Sequence, residues 1–223
     1  MIGIIGGTGH QGFGLAIRWA AAGLPVVIGS RDRARAEAAA EQVRVLVRGS
    51  GARAGHPGAA PVEGRENLEA ARASEIIVIT VPASAHAGTV AALAPALRGK
   101  IIVDVTVPLD KNPAYAVRFP EGSAAEAAQR ALGGESRVVG AFHTVPASLL
   151  QDLSRPVDCD VLVCGDDAAA KARVIELAQA IGVRALDVGA LRQTHTLERI
   201  TALLIGLGRH VRRHDLGIRI TGL

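Results

Sequence analysis

The sequence predicts an α/β protein, with a doubly wound parallel sheet of Rossmann type and a smaller C-terminal α/β extension. Three observations predict it. Apolar runs of strand length alternate with longer helical patterns along most of the chain. A glycine-rich turn sits between the first such run and the first helical pattern. Aromatic residues are only 2% of the composition, so Ala, Val, Leu and Ile must fill the interior, which suits close helix–sheet packing. With 223 residues, 49% of them hydrophobic, the chain has enough material for one large domain or for a domain with a smaller partner.

Residues 2–6 read as a buried strand. A helical pattern through Leu15, Ile17, Trp19 and Ala20 follows and stops at Gly23. Val26-Val27-Ile28 is the second strand, ended by Gly29-Ser30-Arg31, and an alanine-rich helix runs from about Asp32 to Arg48. Residues 51–61 have the Gly, Pro and Ala content of a surface loop, expected to deliver a short third strand near Ala60 to Val62. Glu75 to Val81 is a continuous apolar strand stopped by Pro82, residues 84–97 form a helix, and Ile101 to Val105 form another buried strand. Beyond Pro108 the regularity weakens. It resumes with a helix from Ser123 to Leu132, strands at Arg137 to Ala141 and Asp160 to Cys164, and a helix from Asp167 to Ile181. A strand from Val183 to Asp187 and a long helix from about Thr196 to His214 complete the reading. A boundary near Gly140 divides the chain into a Rossmann-type domain, 1–140, and a smaller C-terminal part, 141–223.

The formal net charge of +4 is spread along the chain without an interleaved aromatic platform, which speaks against nucleic acid as a partner. Cys159 and Cys164, the only cysteines, are placed on opposite faces of one expected strand, as core residues and not as a disulfide or a shared metal site. The chain starts directly with a strand and has no apolar run of membrane-span length, so a cytoplasmic protein with no membrane partner is expected. No metal-ligand cluster is visible.

Gly7, Gly9 and Gly12 form G-x-G-x-x-G between a strand and a helix, the context a dinucleotide pyrophosphate needs. Gly7 would allow the tight turn, Gly9 would let backbone approach the phosphates, and Gly12 would let helix and strand pack closely. The helix N-terminus, reached through Thr8, His10 and Gln11, then favours an anion. At the end of the second strand, where an NAD site usually carries an acid, the chain has Ser30-Arg31, with Arg33 and Arg35 beyond. Ser30, Arg31 and Arg35 are therefore assigned to a 2′-phosphate, and NADP(H) to the site. Asp32 is expected to offset the helix dipole while pointing away from the ligand.

Beyond this site there is no Ser/His/Asp set or paired acid–base constellation, so no catalytic residue is assigned. Hydride transfer between coenzyme rings, which needs mainly positioning, fits such a chain. Gly6-Gly7-Thr8-Gly9, Gly29-Ser30-Arg31, Thr80-Val81-Pro82, Phe142-His143-Thr144-Val145-Pro146-Ala147 and Cys164-Gly165-Asp166-Asp167 resemble the NADPH-dependent reductases of coenzyme F-420, and the match spans nearly the whole chain. The resemblance implies reversible hydride exchange between NADP(H) and an 8-hydroxy-5-deazaflavin, and a homodimer. It places Thr8, Ser30, Arg31 and Arg35 on the NADP phosphates and Thr80, Val81 and Pro82 beside the nicotinamide. His143, Val145, Pro146 and the segment Gly206-Leu207-Gly208 would line the deazaflavin cleft. The loop 51–61 is longer than the connection usual in that family, which leaves its role open.

Each assignment has a plainer counterpart. Taken alone, His143 reads as a hydrogen-bonded structural histidine, Pro82 and Pro146 as strand terminators, and Asp166 or Asp167 as a helix cap. Arg209, Arg212, Arg213 and His214 complement the end of the last helix, or else meet the acidic tail of the deazaflavin. Two other functions stay open at this point: an NADP-dependent reductase of a small carbonyl or imine with His143 as proton donor, and a non-catalytic NADP-sensing protein.

Overall fold

The computed structural model describes residues 1–50, 60–110 and 122–223. Its strands are β1 (Ile2–Ile5), β2 (Val26–Ser30), β3 (Val62–Glu66), β4 (Ile76–Ile79), β5 (Ile101–Asp104), β6 (Arg137–Gly140), β7 (Val161–Gly165) and β8 (Ala185–Asp187). They form one eight-stranded sheet in the order β3-β2-β1-β4-β5-β6-β7-β8. All neighbours from β3 to β6 pair in parallel. β7 runs antiparallel to β6 and β8 parallel to β7, so the expected all-parallel sheet holds only as far as β6. β6 pairs with β5 on one edge and with β7 on the other, and the sheet passes through residue 140 without a break.

The helices are α1 (His10–Ala21), α2 (Arg33–Gly49), α3 (Asn67–Ala73), α4 (Ala83–Leu97), α5 (Ala124–Leu132), α6 (Ala147–Gln151), α7 (Ala168–Ala180) and α8 (Thr194–Val211). Strand alternation sorts the core onto the two faces of the sheet. Ile2, Ile4, Ile76, Val78, Val103 and Val139 pack with Leu15, Trp19, Ala40, Val43 and Val174 from α1, α2 and α7. Ile5, Val27, Ile77, Ile79, Ile102 and Val138 pack with Ala70, Val90, Leu97 and Ala125 from α3, α4 and α5. This is the doubly wound arrangement, with helices on both faces.

Local signals explain where these elements begin. Asp32, Ser123 and Asp167 are N-caps, each accepting from the backbone N–H three residues on. Of the two aspartates left open above, Asp167 caps α7, while Asp166 accepts from Leu191 N at 2.9 Å. The third strand begins at Val62 rather than ending there, because the sheet edge needs only its first residue buried and the rest, Glu63-Gly64-Arg65-Glu66, carries no apolar signature. Residues 51–59 of the expected loop lie outside the described residues. Cys159 precedes β7 instead of lying on it, and both cysteines are buried and free.

Two buried polar side chains join the halves of the chain. Trp19 meets Phe142 edge to face with ring centroids 5.7 Å apart, and its indole N–H donates to Leu177 O at 3.0 Å. Arg18 lays its guanidinium across α6, donating to Leu150 O at 3.0 Å and to Arg155 O at 2.8 Å. These contacts hold the segment that follows β6 against α1, where the site lies.

Candidate coenzyme cleft

In an open parallel sheet, ligands gather at the carboxyl ends of the strands, where the strand order reverses. Here that point lies between β1 and β4, whose exits carry Gly6–Gly9 and Thr80–Pro82. The exits of β5 and β6, Val105–Val107 and Ala141–Pro146, flank them.

The glycine turn is built by close approach. Gly6 has φ +77°, so the left-handed residue of the turn is Gly6 and not Gly7. A Cβ on Gly7 would meet Ile4 O at 2.9 Å, and one on Gly12 would meet Thr80 Oγ1 at 2.5 Å and Gly7 Cα at 2.8 Å. Gly9 differs, because a Cβ there would meet only Gly6 O, at 3.4 Å, which is ordinary contact. The protein itself therefore has room for a side chain at Gly9, on the exposed N-cap of α1. That cap has no side-chain hydrogen bond and no acidic residue in its first turn, which leaves the helix terminus to an anion. Thr8 is half-buried and His10 exposed at this terminus. Gln11 lines the neighbouring cleft, its amide donating to Phe142 O and Val145 O, both at 3.2 Å. It ties the cradle to the loop after β6.

At the end of β2, Ser30 is buried and its hydroxyl accepts from Asp32 N at 3.3 Å. Asp32 is occupied in capping α2 through Arg35 N at 3.1 Å. Arg33 pairs with Glu37 at 2.8 Å, whereas Arg31 and Arg35 are exposed and make no ion pair among the described residues. Two exposed arginines without an ion pair among the described residues thus follow a buried serine at the end of β2.

Beside the cradle lies a cleft of about 560 Å³. One wall is Thr80, Val81, Pro82 and Ala83, the floor is Val105, Thr106 and Val107, and the far wall is His143 to Ala147. The Thr80 hydroxyl donates to Ile5 O at 2.9 Å, which locks its wall to β1. Most of this lining is apolar, but two polar groups in it are buried without a hydrogen-bond partner among the described residues: the Thr106 hydroxyl and both ring nitrogens of His143. Buried polar groups are normally satisfied, so these two call for a partner from within the cleft. Burial pushes His143 down to about 4, so its ring is neutral, able to donate one hydrogen bond and accept another.

Residues 1–108 match the family model described as "NADP oxidoreductase coenzyme F420-dependent". The chain is 43% identical to the F420-dependent NADP reductase of Methanocaldococcus jannaschii over all of this chain and 98% of that protein. The corresponding enzyme of Methanothermobacter thermautotrophicus is 44% identical over all of this chain and 95% of its own length. The chain belongs to the coenzyme F420-dependent NADP reductase family. It is an NADP-dependent oxidoreductase. A solved structure of a candidate F420-dependent NADP-reductase from Arthrobacter sp. FB24 superposes with a TM-score of 0.75 at 29% identity, covering 99% of both chains. The family model stops before the His143 loop, so the likeness over the second half of the chain rests on the full-length relatives.

For this reductase the structure brings together Thr80, Val81, Pro82, His143, Val145 and Pro146, all of which line one cleft. It does not bring Gly206, Leu207 and Gly208 into that lining. From α8 the cleft takes Thr201, Leu204, Ile205 and Arg209 instead. Gly208 is buried against the chain reversal that ends the helix, where a Cβ would meet Arg213 O at 2.5 Å, and Leu207 faces outward. Arg209, Arg213 and His214 reach the cleft mouth, but Arg212 does not, because it sits in the left-handed cap of α8 with φ +55°.

Three buried ionisable residues near the floor escaped the sequence reading. His86 Nε2 lies 2.6 Å from Asp104 Oδ2, and Glu198 accepts from Ala124 N at 2.8 Å. Burial pushes Glu198 up to about 8, with the charges of Asp104 and Glu126 adding to the effect. The signal available was a lone charge closing the apolar run Ile101-Ile102-Val103, and single polar residues inside apolar helices. Among the described residues no cluster of three or more His, Cys, Asp or Glu side chains is placed to hold a metal.

Proposed function

We propose that this reductase passes a hydride reversibly between NADP(H) and the deazaflavin coenzyme F-420 by direct ring-to-ring transfer in the cleft between the Thr80–Ala83 and His143–Ala147 walls. The single observation that carries this is the pairing of an apolar cleft with two unpartnered buried polar groups, Thr106 and His143, beside an uncapped glycine-loop helix terminus. The coenzymes supply the chemistry, a hydride leaving the dihydronicotinamide and joining the deazaflavin while a proton completes the reduced ring. The chain's own residues bind, orient and exclude water. Backbone at Gly7, Thr8, Gly9, His10 and Gly12 would cradle the pyrophosphate; Gln11 would act from behind, through its bonds to the His143 loop. Ser30, Arg31 and Arg35 would hold the 2′-phosphate.

His143, kept neutral by burial, suits a hydrogen-bonding and packing role and ill suits the imidazolium that a carbonyl or imine reductase would ask of it. Arg209, with Arg213 and His214, would face the acidic tail at the cleft mouth. We also propose a homodimer, for which Leu203, Leu207 and Val211 form an exposed apolar stripe along α8. Residues 141–223 would then supply both the deazaflavin wall and the dimer contact. No helix among the described residues is long and apolar enough to cross a membrane, and two buried free thiols fit a reducing, cytoplasmic setting.

The test is a turnover assay with NADPH and oxidised coenzyme F-420, following loss of deazaflavin absorbance, with FMN and a cyclic imine as alternative acceptors. Turnover confined to the deazaflavin is expected. NADPH oxidation by the imine or FMN with an inert deazaflavin would reject the reading.

A further inference from the structure

Beneath the cleft lies an ion pair for which the ring-to-ring reading has no use. The side chains of His86 and Asp104 are 1% and 0% exposed and meet at 2.6 Å. Burial alone would push the His86 imidazole toward its neutral form, but the hydrogen bond and charge of Asp104 prevail and raise it. A histidine–carboxylate pair taken fully out of water gives a fold little that an apolar pair of the same volume would not, so the pair's geometry has to be considered for what it holds in place.

Asp104 uses both its oxygens. Oδ2 takes His86, in the first turn of α4, and Oδ1 accepts from Thr106 N at 2.9 Å. One carboxylate at the end of β5 thus fastens the floor segment Val105–Val107 to the helix that begins at the Thr80–Ala83 wall. Thr106 is buried, lines the cleft, and its hydroxyl has no partner among the described residues. Among the described residues, His143, from the loop after β6, and Glu198, from α8, also feel the charge of Asp104; burial holds the first neutral and the second protonated, and the carboxylate makes its direct contact with His86.

We propose that Asp104 and His86 are positioning residues of the hydride-transfer cleft, which hold the Thr106 hydroxyl against the bound deazaflavin ring by fixing the β5 exit to the first turn of α4. This rests on the coenzyme F-420 reading above. Asp104 acts through Thr106, so the two residues must fail together. A ring misplaced by a fraction of an ångström loses rate without losing nucleotide affinity.

The experiment compares Asp104→Ala, Thr106→Val, their double variant, Asp104→Asn and His86→Gln. Two readouts are taken: single-turnover reduction of coenzyme F-420 by NADPH, and the absorption band of oxidised coenzyme F-420 bound without nucleotide. Asp104→Ala and Thr106→Val are each expected to slow hydride transfer about tenfold while changing the NADPH concentration that half-saturates the single-turnover rate less than about twofold. The double variant should be no slower than the slower single one. Asp104→Asn, whose amide can accept from Thr106 N and donate to a neutral imidazole, should recover the rate to within about threefold. The shift of the bound band should vanish in both Asp104→Ala and Thr106→Val and return in Asp104→Asn.

An unchanged rate and band in Thr106→Val, or losses that multiply in the double variant, would overturn the proposal. Should Asp104→Ala not fold, His86→Gln in the Thr106→Val background gives the same non-additivity test. Wild-type protein that neither shifts nor reduces the deazaflavin would instead fell the underlying reading, and this proposal with it.

Discussion

Replacing Glu198 by Gln should stabilise the protein at neutral pH and leave it unchanged in acid. Glu198 is 2% exposed and its carboxyl is held up to about 8, against an ordinary value of 4.5, chiefly because burial disfavours the charged form. The folded state therefore keeps a proton that the unfolded state gives up. The stability linked to that proton is fully present below pH 4.5 and is lost as the pH rises from there through about 8. Each pH unit within that window costs about 1.4 kcal/mol, so by pH 7 the ideal loss is about 3 kcal/mol, and local relaxation brings it nearer to 2. Gln has nothing to ionise, and its amide oxygen can still accept from Ala124 N. Urea unfolding of wild type and Glu198→Gln at pH 5 and pH 7.5 measures the difference. The variant should gain about 2 kcal/mol at the higher pH and well under 1 kcal/mol at the lower. A gain that is the same at both values, or a loss confined to the higher one, would refute the reasoning.

Three further outcomes follow from the coenzyme site. Arg31→Ala with Arg35→Ala should raise the Kd for NADP about 150-fold or more, since each of the two charge-assisted bonds contributes about 1.5–3 kcal/mol, and hardly alter that for NAD; titration calorimetry with both nucleotides checks it, and equal effects would remove the 2′-phosphate assignment. Gly9→Ala should fold normally and bind NADPH at least tenfold more weakly, whereas Gly12→Ala should lose thermal stability before binding is tested, because only the second Cβ collides with protein atoms, at 2.5 Å from Thr80 Oγ1. Arg209→Ala, at the cleft mouth, should raise the KM for the tailed deazaflavin several-fold at low salt and leave that for a tail-less analogue unchanged.

Much of the fold was legible because its signals are local. Apolar runs at Ile2, Val26, Ile76, Ile101 and Val161 carry the strands, and Asp32, Ser123 and Asp167 announce the helices that follow them. Strand direction is not local. Nothing in Val161-Leu162-Val163-Cys164-Gly165 distinguishes an antiparallel partner of β6 from a parallel one. The edge strand β3 and the seven-residue helix α3 carry too few buried positions for a period to show. The site divides in the same way. The glycine cradle and the Ser30-Arg31 corner lie in contiguous motifs, while the α8 contribution depends on how that helix is docked. For that reason the cleft takes Leu204, Ile205 and Arg209, and Gly208 serves the helix end. His86, Asp104 and Glu198 come from three separate elements, and only the folded chain gathers them near Thr106.

Isotope tracing tests the central claim most directly. NADPH deuterated at the transferring position of nicotinamide C4 is mixed with oxidised coenzyme F-420 and the protein in ordinary water, and the reduced deazaflavin is analysed by mass spectrometry. Direct transfer across the cleft predicts one deuterium retained on the deazaflavin carbon for each NADPH consumed. Deuterium released to water, with an unlabelled product, would contradict it.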